Sequence, residues 1–232
     1  GMGQERNAWF SQGKKTSYDA TFPTVMEKLK RISGIKVDEA LLQKFIPHAG
    51  LLNIDEVEDI GKAWLQVSKK VAVDVHELRR NILPLSALYS IAEHSRALLV
   101  ALTDGALPSN TGGGYNLRVI LRRALSFIDG HKWDIDIAEL CRWHADYLKP
   151  LFPELKESLK QVEKILEVEK EKYNATKQKT QSVVSKLLQE EIDENTLLQL
   201  YDSQGIPPEL IRDEALKLGR KIIVPDNFYA RV

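Results

Sequence analysis

The 232-residue chain has one cysteine, Cys141, which excludes a disulfide framework and a cysteine-based zinc site. Five histidines, His48, His76, His94, His131 and His144, are scattered without ligand spacing, so no resident metal is expected. Neither sign of charge is in excess: 33 Lys and Arg balance 33 Asp and Glu. No global field therefore draws the chain to nucleic acid or to a membrane, and any polyanion must be met by a local patch. No apolar run approaches the ~20 residues of a membrane span, and the basic-then-apolar pattern of a signal peptide is missing. The setting expected is reducing and cytoplasmic, without membrane contact. Stretches of strand periodicity are scarce and no internal repeat is visible.

What is present is helical periodicity. Phe22, Val25, Met26, Leu29 and Ile32 form one stripe, ended by Ser33-Gly34. Val37 to Ala49 reads as a second helix, and Asp55 to Lys69, with Val57, Ile60, Trp64 and Val67, as a third. Asp74 caps a fourth, in which Pro84 predicts a kink or a fresh start before the pattern continues to Leu102. Periodicity stops at Asp104-Gly105 and resumes at about Tyr115, running to Ile128; the gap, with Pro108, Ser109, Asn110 and Gly112 to Gly114, reads as a loop. Asp134 or Asp136 caps a helix reaching Leu148, closed by Pro150. From Leu155 to Leu188 a heptad seam runs through Leu159, Val162, Leu166, Glu169, Tyr173, Thr176, Thr180, Val183 and Leu187, polar in its middle and apolar at its ends. A short helix from Asp193 or Glu194 ends near Asp202, with Gly205 as its C-cap, and Pro207-Pro208 opens a last one to Gly219. Lys221 to Val224 is the one strand-like stretch, and Gly1 to Thr16 is expected to be poorly ordered or docked on its neighbour. The fold class is all-α, in two helical subdomains with a boundary near Pro150 to Pro153.

The segment Asp104 to Arg123 carries the most chemistry. Arg118 and Arg122, four apart, share a helix face with Arg123 beside them, while Leu117, Ile120, Leu121 and Leu125 bury the other side. Glycines let the backbone approach a ligand, and amides at a helix N-terminus suit a phosphate. Two readings fit: an RNA-backbone site, or a flexible loop before an ordinary amphipathic helix with a solvated basic face. His94 and Arg96 read as helix packing or loop anchoring, Cys141, Trp143 and His144 as a packed helix face, and the charge-rich stretch Glu163 to Lys179 as a solvated face.

The same segment, DGALPSNTGGGYNLRVILRRA preceded by AEHSRALLVAL, resembles the signature of alanyl-tRNA synthetases. GMGQER at Gly1 to Arg6 resembles the tail of that family's third class II motif, and SYDATFP at Ser17 to Pro23 the segment after it. LLQLYDSQGIPPELI at Leu197 to Ile211 resembles the family's LYD-x-x-G-x-P segment, and VPDNFY at Val224 to Tyr229 the archaeal-type stretch that precedes the editing domain. The resemblance implies a fragment: residues 1–16 as the edge of a catalytic domain, 17–150 as a helical subdomain with a recognition loop, and 151–232 as a long helix with a C-terminal subdomain. The first two class II motifs and the editing domain lie outside it, so this chain alone is expected not to activate alanine. It implies an acceptor stem of alanine tRNA as partner, with ATP and magnesium used in the full enzyme and no cofactor in this part. Asn110 and Asp202 fall at positions that read the G·U wobble pair of that stem; Arg118, Arg122, Arg123, Gly112 and Gly114 become backbone-binding or loop-ordering residues, and Arg6 a vestigial ATP contact. Asp202 is placed at the end of a helix, where its charge opposes the macrodipole by ~0.3–1 kcal/mol. Gly113 departs from the family pattern, standing where an arginine or similar residue is usual. The alternatives are a freestanding helical RNA-binding module and a structural protein that self-associates through the Leu155 to Leu188 seam.

Overall fold

The computed structural model describes residues 3–52, 59–187, 192–204, 206, 208–220, 222–225 and 228. Among these there are no strands, in accord with the all-α expectation. Two compact units emerge, Gly1–Glu167 and Val168–Val232.

The first unit begins with α1 (Gln4–Gln12) and α2 (Ser17–Thr21), which lie against each other. Of the two expectations for this stretch, poorly ordered or docked on its neighbour, the docked one fits these helices, although α1 buries no side chain of its own and leaves Phe10 exposed. An ion pair from Glu5 to Arg96 at 3.8 Å ties it to the body of the unit. In α3 (Pro23–Ser33) Val25, Met26 and Leu29 are buried as the stripe predicts, and Phe22 is buried at its cap. Asp38 caps α4 (Glu39–Phe45) by accepting from the Leu41 amide at 2.9 Å. The predicted helix to Ala49 then tightens into a 3-10 segment, Ile46–Leu52, because Pro47 lacks the amide that would continue the α ladder. The third helix, α5 (Ile60–Val71), starts later than expected: Asp59 is its N-cap, accepting from Lys62 N at 3.0 Å, and Val57 lies outside the described residues.

At the centre stands α6 (Val75–Thr103), capped by Asp74, whose Oδ1 accepts from the amides of His76 and Glu77 at 2.9 and 3.1 Å. Pro84 does not start a new helix; it sits inside a continuous one. The missing amide forfeits one bond, to the carbonyl of exposed Arg80, while Ile82, Leu85 and Leu88 are buried on either side and hold the backbone in register. Helix α6 packs against α3, α5, α7 (Gly112–His131) and α8 (Ile137–Leu148), burying Leu78, Leu85, Leu88, Leu98, Leu99 and Leu102, which is how a helix so rich in leucine comes to be central. Short α9 (Glu154–Glu157) precedes α10 (Leu159–Leu187), the long helix of the heptad seam.

A buried polar knot locks α8 to α6. His144 Nε2 lies 3.0 Å from the Ala92 carbonyl and 3.1 Å from Ser95 Oγ. Cys141 Sγ donates to the Ser95 carbonyl at 3.5 Å, and burial pushes its thiol up to about 12, so it serves packing. Burial, with the Arg96 charge as a lesser cause, pulls His144 down to about 4. An unfolded histidine titrates near 6.5. The unfolded chain therefore takes up this proton first, and stability present above about pH 6.5 is lost as the pH falls toward 4. His94, on α6, is lowered in the same sense, to about 4. The urea midpoint of the wild type is expected to fall between pH 7.5 and pH 4.5, and His144→Gln, which has no proton to gain, to shrink that fall; an unchanged dependence contradicts the assignment.

In the second unit, α11 (Glu194–Gln204) starts where Asp193 Oδ1 accepts from Thr196 N at 2.8 Å, and α12 (Pro208–Lys217) follows. Val184, Leu197, Leu200, Ile206, Ile211, Ala215, Ile222 and Phe228 form its core. Residues 222–224 of the strand-like stretch correct to irregular backbone: Ile222 is buried and Ile223 exposed, so the alternation is real but there is no partner strand among the described residues. Lys221, Gly205, Pro207 and the side chain of Leu187 lie outside what is described. Along α10 the expected polar middle is buried too, with Glu169, Tyr173 and Thr180 beside Val162, Leu166 and Val184. Of the other seam residues, Leu159, Thr176 and Val183 are half-buried, and Val184 takes the buried place beside Val183.

Candidate nucleic-acid interface

Helix α6 ends in a hydrogen-bonded cap. Gly105 N donates to Leu102 O at 3.2 Å and Ala106 N to Ala101 O at 3.0 Å, the paired pattern that turns a chain sharply off a helix. The chain then crosses to α7 through Leu107 to Thr111. The sequence suggests that the helix resumes at about Tyr115, but it resumes at Gly112, so the glycine triplet is the first turn of α7 and not loop.

Two of the glycines are required there. Gly112 has φ +62°, in the left-handed region that disfavours side chains. Gly114 lies under the loop: a Cβ on it would stand 2.2 Å from the Leu107 carbonyl oxygen and 2.4 Å from Ser109 Oγ. Ser109 N donates to Gly114 O at 3.0 Å, sealing the contact, and Ser109 Oγ donates to Thr111 O at 2.6 Å. Gly113 meets open space.

Arg118, half-buried one and a half turns into α7, reaches back over this junction. Its Nη1 donates to Asn110 Oδ1 and its Nη2 to the Pro108 carbonyl at 3.3 Å. Asn110 itself is exposed. Arg122 is half-buried on the same helix, and Arg123 is exposed, 5.8 Å from the Phe127 ring centre. The Arg123 charge adds to burial in depressing His94 on α6, which fixes that imidazole as neutral. Arg96 packs over Phe22 at 4.6 Å, a structural contact that the packing reading anticipated. Against the other face of α7, Leu121, Ala124, Leu125 and Ile128 are buried.

Asn110, Ser109, Gly114 and Arg118 are thus brought together. Ser109 was not singled out by sequence; its signal was its place in a Pro-Ser-Asn turn five residues before a glycine. Asp202 is exposed in the last turn of α11, in the second unit, with no basic residue in that turn. Arg6 is exposed on α1. Among the described residues, no three His, Cys, Asp or Glu side chains group to hold a metal ion, and no helix is long and apolar enough to cross a membrane.

Chemically, the arrangement is a rigid loop presenting a carboxamide beside a cationic helix. A family profile described as tRNA synthetases class II (A) matches residues 1–232. The alanine–tRNA ligase of Methanocella arvoryzae is 43% identical over 234 residues, covering 100% of this chain and 26% of the relative. That of Caldivirga maquilingensis is 39% identical, covering 99% of this chain and 25% of the relative. That of Pyrococcus furiosus is 36% identical, covering 100% and 26%. The chain spans about a quarter of the length of the curated relatives it matches. With a match running from end to end, it belongs to the class II (A) tRNA synthetases, the family of the archaeal alanine–tRNA ligases.

Proposed function

We propose that this chain is the tRNA-recognition part of an alanine–tRNA ligase, holding the acceptor stem of alanine tRNA and reading its G·U wobble pair through Asn110 and Asp202. The observation that carries it is Asn110, exposed at the tip of a loop locked onto a basic helix by Arg118. A-form RNA offers its base edges in a wide, shallow minor groove. There guanine presents an exocyclic amino donor and uracil a carbonyl acceptor. A carboxylate accepts only, which suits Asp202 to the amino group; a carboxamide donates, which suits Asn110 to the carbonyl. The amides at the start of α7, with Gly112 and Gly114 keeping the backbone close, and Arg122 and Arg123 are assigned to the phosphate backbone, where contacts position and do not specify. In the complete ligase the partners are the catalytic and editing domains, and the cytoplasmic reaction joins alanine to tRNA with ATP.

Asp202→Ala and Asn110→Ala are each expected to cut the preference for a G·U over a G·C acceptor stem roughly tenfold, the scale of one good base contact. Binding of both stems to each variant measures it. Equal preference in wild type and variants would sink the assignment.

A further inference from the structure

A guanidinium carries donors and no acceptor. The Asn110 atom that faces Arg118 is therefore the carboxamide oxygen, Oδ1, and the amino group is turned away from the arginine. The second bond from Arg118, to the Pro108 carbonyl at 3.3 Å, fixes the guanidinium itself, so the arginine is anchored two residues before the side chain it orients. The Ser109 to Gly114 bond holds the loop from beneath. With Oδ1 engaged, the Nδ2 amino group is the donor that exposed Asn110 has to offer a ligand.

We propose that Arg118 is a positioning residue for specificity: it turns Asn110 so that the loop reads a hydrogen-bond acceptor on a base edge, of the kind a pyrimidine 2-carbonyl presents in the RNA minor groove. This rests on the reading of Asn110 as a base-contacting residue. It gives Arg118 a different task from a phosphate contact. A phosphate-binding arginine adds to the affinity for every sequence and about one unit to the salt slope. A positioning arginine adds to discrimination and leaves that slope alone.

The test uses the 232-residue chain and two acceptor-stem duplexes, G·U and G·C, titrated at several salt concentrations. Asn110→Asp keeps an oxygen for Arg118 and removes the donor; it is expected to stay folded by circular dichroism and to lose its preference for G·U. Arg118→Gln is expected to lower that preference roughly tenfold with an unchanged salt slope, and Arg118→Lys, which keeps the charge without the planar fork, to do the same. Arg118→Gln combined with Asn110→Ala is expected to discriminate no worse than Asn110→Ala alone, because one residue acts through the other. The side-chain amide resonances of Asn110 are expected to move in Arg118→Gln without any RNA present. Equal weakening on both stems with a shallower salt slope, additive effects, or unmoved Asn110 resonances each overturn the proposal. If Asn110→Ala keeps its full preference, the underlying reading falls and the role of Arg118 with it; if Asn110→Ala loses the preference while Arg118→Gln retains it, only the role of Arg118 falls.

Discussion

Replacing Gly114 by alanine is expected to unseat the recognition loop and abolish discrimination between stems, although alanine is the better helix former. Two effects oppose each other. Alanine in a helix interior gains up to about 1 kcal/mol over glycine. Against this, the new Cβ would lie 2.2 Å from the Leu107 carbonyl oxygen, a backbone atom that has no rotamer to escape into. Relieving the overlap means lifting the loop off α7, which breaks the 3.0 Å Ser109 to Gly114 bond and moves Asn110 off Arg118. Overpacking of this kind costs about 1–3 kcal/mol, so the steric term wins. Gly113→Ala is the control, since nothing lies within 4 Å of its added Cβ. A thermal melt and the paired stem titration together check this: Gly114→Ala should fall in both, Gly113→Ala in neither. A Gly114→Ala chain with wild-type stability and discrimination would contradict the description of the junction.

The second large effect is on the seat of α7. Leu121 is 2% exposed on the helix face turned to the core, next in line after the half-buried Leu117. Leu121→Ala removes that contact and leaves a cavity, at a cost of about 2–5 kcal/mol. Because the change lies on the side opposite the loop, the loss is expected in stability, measured by urea unfolding, while the ratio of affinities for the two stems survives under conditions where the chain is folded. Leu117→Ala should cost less, in proportion to its partial exposure. A Leu121→Ala midpoint within error of the wild type would mean that α7 is not packed as described.

Helices with a clean apolar stripe were legible because burial and period report the same thing: Val25, Met26 and Leu29 in α3, and Trp64 and Val67 in α5, are where the pattern puts them. Errors arose where a local signal met a tertiary one. Pro84 in α6 reads as a kink or a fresh start and the glycine triplet of α7 as loop, yet packing around Pro84 rules out the fresh start by sustaining one helix, and the close approach of Leu107 demands glycine inside another. At Ile222 to Val224 the in-and-out alternation reflects packing onto the second unit's core, and nothing in a single chain segment distinguishes that from a strand awaiting a partner. The candidate residues Asn110 and Arg118 were each picked out, one from resemblance and one from helical spacing. Their bond was not legible, because it depends on how the loop closes over eight residues. The basic face consequently differs from a solvated stripe: Arg118 is turned inward to hold the loop, and Arg123 lies beside Phe127 and His94.

The most direct test of the central claim is the ratio of dissociation constants of the wild-type chain for alanine acceptor stems carrying G·U and G·C, followed as salt rises. Phosphate contacts should weaken both affinities along parallel lines. Base reading predicts a ratio favouring G·U, roughly tenfold or more, that persists across the salt range. A ratio of one throughout, with both affinities vanishing together, would mean that the chain offers RNA nothing more than a basic patch.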